Sequence, residues 1–369
     1  MKKMKVLHIY KSYYPDTLGG VEKVIDQIAA NTAALGIESQ VICLTPEKNE
    51  STMMLNGYQV HRVPQLFTLA STPVSIKIFK HFKALAEQAD IIHYHFPWPL
   101  ADLLHFITRI KKPRLVTYHA DIIKQKIVLP FYRPLMNAFL SDMNCITATS
   151  SHYAKTSKVL SRFSDKLKII PIGLSQNSYP TPSIQRLDYW REKFNFKFFV
   201  FIGVIRYYKG IDILITAAKE LGAPIIVIGK GANVDQQNNP NIHFLGAVSE
   251  EDKIALLTLA YGVVLSSNVR SEAFGIALLE GAMFSKPLVS CELGTGTTYI
   301  NIHNETGQVV PPNDSIALRQ AMQYLLDNPD EALRMGTNAR ARYEQHFTAE
   351  KMAKAYVDIY QDICHDRAI

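Results

Sequence analysis

Cysteine is scarce and scattered: four in 369 residues, Cys43, Cys145, Cys291 and Cys364, with no C-x-x-C pair among them. That argues against a disulfide-stapled scaffold and a zinc site, and it points to a reducing compartment, the cytoplasm. No apolar run nears the roughly 20 residues a bilayer-spanning helix requires. The opening "MKKMKVLHIYKSYYP" has a short apolar stretch and no small-residue cleavage site, so it reads as a first strand and not a signal peptide. Neither G-x-G-x-x-G nor G-x-x-x-x-G-K-[ST] occurs, which disfavours a dinucleotide-dependent oxidoreductase. A D-x-D cluster for a metal-bound diphosphate is missing as well, so activity without divalent metal and without a cofactor is expected.

What is present is a chain long enough for two domains, 47% hydrophobic and 20% charged. Its net charge of +7 sits in one place: from Val60 to Pro134 there are eleven Lys/Arg and four Asp/Glu, and the remainder is neutral. With no basic helix or aromatic RNA-binding motif beside it, this excess suits a membrane surface or an anionic acceptor better than nucleic acid.

Short β-branched runs alternate with helical patterns. Strands are expected at "KVLHIY", "SQVICLT", "YQVHRV", "DIIHYHF", "RLVTYHA", "NCITATS" and "LKIIPIG". After Gly173, "LSQNSYPTPSIQ" loses its apolar period and reads as a linker. A second series follows at "FKFFVFIGVI", "APIIVIG", "NIHFLG", "YGVVLSS", "KPLVSC" and "TGQVVPP", and the chain ends in helix. "GGVEKVIDQIAANTAALG" predicts a helix ended by Gly36, and Asn328-Pro329-Asp330-Glu331 predicts a capped helix start. The alternation implies two doubly wound α/β domains, with ligands held beyond the strand carboxyl ends.

Four stretches carry candidate chemistry. In "SEAFGIALLEGA", a helix mouth near Phe274-Gly275-Ile276 suits an anion, with Glu272 just outside and Glu280 about 12 Å along. A diphosphate with sugar hydroxyls at both ends has that span. In "FIGVIRYYKGIDILI", Arg206 and Lys209 follow a strand end, where a planar fork and a point charge suit phosphate oxygens. In "KSYYPDTLGGVEKVI", Gly19 and Gly20 open the first helix and let backbone N–H groups approach a phosphate. In "RLVTYHADI", His119 ends a strand on the ligand-facing edge; a hydrogen-bonded structural histidine is the plain alternative. His93 and His95 in "DIIHYHFPWP" lack a carboxylate partner and read as packing or acceptor-side residues and not as metal ligands.

Together these stretches, with the "PIG" hinge, "NIHFLGAVSEEDK" and "ETGQVVPPND", resemble the retaining GT-B glycosyltransferases of family four. The resemblance runs along almost the whole chain, and the Glu-x7-Glu motif followed by "TGQVVPP" is its most specific part. It implies a GT-B fold, two Rossmann-like domains facing each other across a cleft: 1–175 on the acceptor side, 176–345 binding the donor nucleotide, and 346–369 as a helix packing back on the first. It implies catalytic roles for Glu272 and His119 at the donor sugar. It implies ribose hydroxyls on Glu280, sugar and phosphate on the backbone of Phe274, Gly275 and Ile276, diphosphate on Arg206, Lys209, Gly19 and Gly20, and the base near Gly246 to Val248. One position departs: Val204 stands where many relatives carry arginine, and Arg206 is expected to take over part of its work.

The implied reaction is retaining transfer of a hexose, with mannose from GDP-mannose first and a UDP-hexose second. The acceptor would be a lipid-linked saccharide of bacterial surface-polysaccharide assembly. Lys77, Lys80 and Lys83 in "VSIKIFKHFKALAEQ", with apolar neighbours, predict peripheral attachment to the inner membrane face. An epimerase or phosphorylase on the same fold and a non-catalytic saccharide-binding protein are the competing classes.

Overall fold

A computed structural model describes residues 3–69, 72–123, 125, 128–231 and 239–365. The chain divides into two compact units, Met1–Gly173 with Ala349–Ile369, and Leu174–Thr348.

The first unit is built on an eight-stranded sheet. Its strands are β1 (Met4–Ile9), β2 (Ile37–Thr45), β3 (Ser51–Leu55), β4 (Tyr58–Pro64), β7 (Ile91–Phe96), β8 (Arg114–Tyr118), β9 (Cys145–Ala148) and β10 (Leu167–Ile169), and β5 (Phe67–Leu69) with β6 (Thr72–Val74) makes a separate two-stranded ribbon. The order is β10-β9-β8-β7-β1-β2-β4-β3, parallel throughout except for β3 against β4. Central strands are sealed on both faces; β7 is buried at all six positions. That is why it reads as a near-continuous run with no clean alternation. The helix Gly20–Thr32 buries Val24, Ile25 and Ile28, passes into a 3-10 turn and is closed by Gly36 at φ +86°. The terminal helix Ala349–His365 belongs to this unit and buries Tyr356 and Tyr360.

The second unit is a six-stranded parallel sheet in the order β13-β12-β11-β14-β15-β16. Its strands are β11 (Phe199–Ile202), β12 (Ile225–Ile228), β13 (Ile242–Gly246), β14 (Gly262–Leu265), β15 (Leu288–Cys291) and β16 (Gly307–Val310). Strand order reverses between β11 and β14 here, and between β1 and β7 in the first unit. Such reversals open a space beyond the strand carboxyl ends where side chains from two loops can meet.

Local expectations are refined in three places. The two units divide at Gly173, where "LSQNSYPTPSIQ" begins, but that segment is packed: Leu174 is buried and bridges to Thr348, and Tyr179 is buried. The helix Pro329–His346 starts as expected, with Asn328 at the N-cap, Pro329 first and Asp330 and Glu331 in its first turn. The Asn328 side chain makes no cap bond, however; its Nδ2 donates back to the Tyr324 carbonyl at 2.8 Å. The helix Lys77–Gln88 exposes Lys77, Lys80 and Lys83, but its apolar stripe of Ile78, Phe82 and Ala86 is buried in the unit and is not free for a bilayer.

Candidate active site

The second unit gathers its site at the strand-order reversal. Beyond β11 the chain turns through Arg206 to Gly210, and beyond β14 it runs through Ser266 to Glu272. The two loops are locked together. Gly210 has φ +61°, and a Cβ there would lie 2.1 Å from the Ser266 carbonyl oxygen, so only glycine lets the loops close. Ser266 Oγ donates to the Lys209 carbonyl at 2.9 Å.

This closure brings two of the expected residues together. Lys209 Nζ lies 2.6 Å from Glu272 Oε2, and Ser267 Oγ donates to the same oxygen at 2.9 Å. Both charged side chains are nearly enclosed, at 12% and 11% exposure. Ser267, which sequence reasoning missed, comes from the "LSS" end of β14, so its place at a strand terminus was the available signal. Arg206 is exposed, and no hydrogen bond or ion pair of its side chain appears among the described residues. Val204 is 42% exposed at the same strand edge.

Gly275, at φ +95°, is the N-cap of the helix Ile276–Met283. Phe274 turns its ring inward onto Phe347, 6.1 Å between centroids, which leaves the backbone of Phe274, Gly275 and Ile276 to form the helix mouth. Glu280 is 3% exposed. Its Oε1 accepts from Tyr179 Oη at 3.0 Å and lies 3.2 Å from Lys253 Nζ. Burial pulls the Lys253 ammonium pKa down, but Glu280 and Glu250 outweigh it and hold that pKa above its ordinary value. Burial, reinforced by the same carboxylate, pushes the Tyr179 hydroxyl up. Neither Lys253 nor Tyr179 was expected; they lie 27 and 101 residues from Glu280 in the chain. Gly246, at φ +68°, ends β13 and accepts the Gly229 N–H at 2.8 Å; Val248 follows it, half-buried.

In the first unit, Gly19 makes room for the protein's own carboxylate. A Cβ on Gly19 would lie 2.2 Å from Glu22 Oε2, and Glu22 accepts from Ser12 Oγ at 3.0 Å and Thr17 Oγ1 at 2.7 Å. Gly20 is the first residue of the helix. His119 lies just beyond β8, 6% exposed, and burial drives its pKa down to about 3. His8, His93 and His95 bring one ring nitrogen each within 4.8 Å of one another. Both nitrogens of His93 and both of His95 are already hydrogen bonded, to Tyr360, Thr117, His8 and His119, so this cluster does not fit a metal ion.

Two doubly wound, mainly parallel sheets, one with a lysine, a glutamate and a helix mouth at its reversal point, define an α/β protein of two Rossmann-like units with a candidate ligand site in the second. Comparison with known proteins makes the class particular. Residues 189–342 match the profile "Glycosyl transferases group 1", and residues 18–177 match "Glycosyltransferase Family 4". The chain is 48% identical to D-rhamnosyltransferase WbpZ of Pseudomonas aeruginosa, over 94% of this chain and 93% of that one. It is 44% identical to O-antigen chain mannosyltransferase C of Escherichia coli, over 99% of this chain and all of the relative. Among solved structures, sucrose-phosphate synthase from Thermosynechococcus elongatus shares the fold, with a TM-score of 0.80 at 19% identity over 98% and 99% of the two chains. The chain therefore belongs to the family-four glycosyltransferases. It is a hexosyltransferase that uses a nucleotide-sugar donor and a saccharide acceptor.

Proposed function

We propose that this enzyme transfers a mannosyl group from GDP-mannose, with retention at the anomeric carbon, to a lipid-linked saccharide in surface-polysaccharide assembly. The observation that carries the reading is the enclosed Lys209–Glu272 pair beside the mouth of the helix Ile276–Met283. Breaking a sugar–phosphate bond develops negative charge on the diphosphate and positive charge on the sugar ring. A lysine, an exposed arginine at 206 and free helix N–H groups serve the first charge, and the Glu272 carboxylate serves the second. Sharing one ion pair holds both groups in position before substrate arrives.

In this reading Glu280 accepts from the ribose hydroxyls, the backbone at Gly246 and Val248 lies near the base, and His119 contacts the transferred sugar. Of the glycine pair, Gly20 offers its backbone to the diphosphate, since the space at Gly19 is filled by the Glu22 carboxylate. Retention without a separate nucleophile implies attack on the face the diphosphate leaves, with its phosphate taking the acceptor proton. The mannosyl donor draws support from the Escherichia coli relative; the Pseudomonas aeruginosa relative favours a second reading with a D-rhamnosyl donor.

Attachment to the inner membrane face draws support from a depression of about 890 Å³ where four cations, Lys83, Arg109, Lys111 and Lys112, outnumber one carboxylate, Glu87, beside Phe106 and Ile107. Exposed Val128 and Phe131 add apolar surface. No helix among the described residues is long and apolar enough to cross a membrane.

The test is transfer to lipid-linked saccharide from GDP-mannose, GDP-D-rhamnose and UDP-glucose in parallel, with product configuration read by NMR. The reading expects product of unchanged anomeric configuration from GDP-mannose, undiminished by a chelator, and salt-sensitive flotation with anionic vesicles. Inverted product, or activity lost to the chelator and restored by manganese, would contradict it.

A further inference from the structure

Three buried histidines of the first unit form a continuous hydrogen-bonded chain. His8 Nδ1 lies 3.1 Å from His95 Nε2, and His95 Nδ1 lies 3.0 Å from His119 Nε2. Strand register explains the arrangement. β1 and β7 pair His8 with His93, and β7 and β8 pair His95 with Thr117, so alternate positions of neighbouring strands share one face. The rings stack as well, with centroids 5.4 Å apart for His8 and His95 and 5.3 Å apart for His95 and His119. His93 stands beside the chain, its Nδ1 on the Tyr360 hydroxyl at 2.7 Å and its Nε2 on Thr117 at 2.8 Å.

A neutral imidazole has one N–H and one lone pair, so both contacts of His95 must run in the same direction. Only two arrangements are consistent. In one, protons point inward from His119, and His8 Nε2 ends the chain as an N–H sealed in the core. In the other, protons point outward: His8 Nδ1–H to His95 Nε2, His95 Nδ1–H to His119 Nε2, and His119 Nδ1–H left over. His8 is fully buried and its Nε2 has no partner. A sealed N–H without an acceptor is rarer and costlier than a bare lone pair, so the outward arrangement is favoured. Burial keeps the rings neutral, with His8 and His119 driven down to about 3 and His95 well below its ordinary value. His119 Nδ1 engages no described residue and, unlike His8 Nε2, is not sealed.

We infer that His8 and His95 are positioning residues that hold His119 as its Nδ1–H tautomer, making its outward nitrogen a fixed hydrogen-bond donor to a sugar oxygen and never a base. This rests on the substrate contact assigned to His119 above.

Long-range 1H–15N spectra of enzyme labelled with 15N-histidine report each tautomer, and the His119 signals are those absent from His119→Ala. The expected result is a pyrrole-type Nδ1 and a pyridine-type Nε2 in His119. A pyridine-type Nδ1, or two pyrrole-type nitrogens, would overturn the inference. His8→Asn keeps an N–H donor toward His95 and is expected to hold kcat/KM within about 3-fold, whereas His8→Leu lowers it about tenfold, the size of one lost hydrogen bond. Equal losses in the two variants would count against the polarity, and if neither folds the wild-type spectrum decides. Should the tautomer be as inferred while His119→Ala turns over normally, the substrate contact fails and the chain's polarity stands.

Discussion

Lys209 and Glu272 stand 63 residues apart in the chain and 2.6 Å apart in the fold, Nζ to Oε2, in surroundings that leave each side chain about one-tenth exposed. In the proposed reading the pair serves both stability and chemistry, and the two parts are separable. Lys209→Met leaves a largely enclosed carboxylate without its cation; unfolding free energy is expected to fall by about 3 kcal/mol and kcat by about 10²-fold or more. Lys209→Met with Glu272→Gln removes both charges, so urea unfolding should recover most of the stability while turnover stays low. Recovery of turnover in the double variant would mean the pair acts only on stability.

Glu280 gives a second case with a different partner. Its Oε1 is held by Lys253 and Tyr179, and the carboxylate is 3% exposed. Lys253→Met is expected to cost about 3–5 kcal/mol in urea unfolding, because the charge left behind is buried and unpaired. Adding Glu280→Gln should return part of that loss. A Lys253→Met enzyme as stable as the wild type would show that Glu280 has another neutralising group.

Much of this was legible in the sequence, for a physical reason. "FVFI", "IIVI" and "GVVL" are buried at every position of parallel strands, so they stand out as apolar runs. "STMML" did not, because β3 is an edge strand whose residues are exposed or half-exposed. Glu272 and Lys209 were each visible beside a strand end, but their pairing depends on Gly210 closing two loops. Tyr179 was hidden in a segment that looks like a linker; its hydroxyl acquires meaning only against a carboxylate 101 residues away. His-x-His in β7 carried the hint of a shared face, but not that β1 would add His8 to it.

The buried histidines predict acid sensitivity. An unfolded histidine titrates near 6.5, whereas burial drives His8 and His119 down to about 3 and puts His93 and His95 well below their ordinary value. Between those limits the unfolded chain binds more protons, so stability present above pH 6.5 is lost as pH falls, by about 1.4 kcal/mol per histidine per pH unit. The neighbours on this face are the Tyr356 and Tyr360 hydroxyls and Thr117, none of which offsets a new positive charge. Urea midpoints should drop steeply from pH 7 to pH 5, and His95→Gln should flatten the slope by about one histidine's share. An unchanged slope would contradict the assignment.

Gly210 and Gly57 separate close approach from backbone strain. Both have positive φ, +61° and +89°, but a Cβ at Gly57 meets nothing within 4 Å, whereas at Gly210 it meets the Ser266 carbonyl. Gly57→Ala should cost about 1 kcal/mol and leave turnover intact. Gly210→Ala should cost more, about 3 kcal/mol, and lower kcat by displacing Lys209. Equal effects on turnover would argue that the loop junction does not position the site.

The central claim is that the second unit pins a nucleoside-diphosphate sugar beside Lys209, Glu272 and Glu280. The most direct measurement is the melting temperature of the full chain with a panel of nucleotide sugars, on wild type and Lys209→Met. A donor at about a hundredfold excess over its Kd stabilises the folded state by about 2.7 kcal/mol, so the account predicts a rise of a few degrees with one nucleotide sugar in the wild type and little or none in Lys209→Met. No rise with any nucleotide sugar, or the same rise in both proteins, would contradict it.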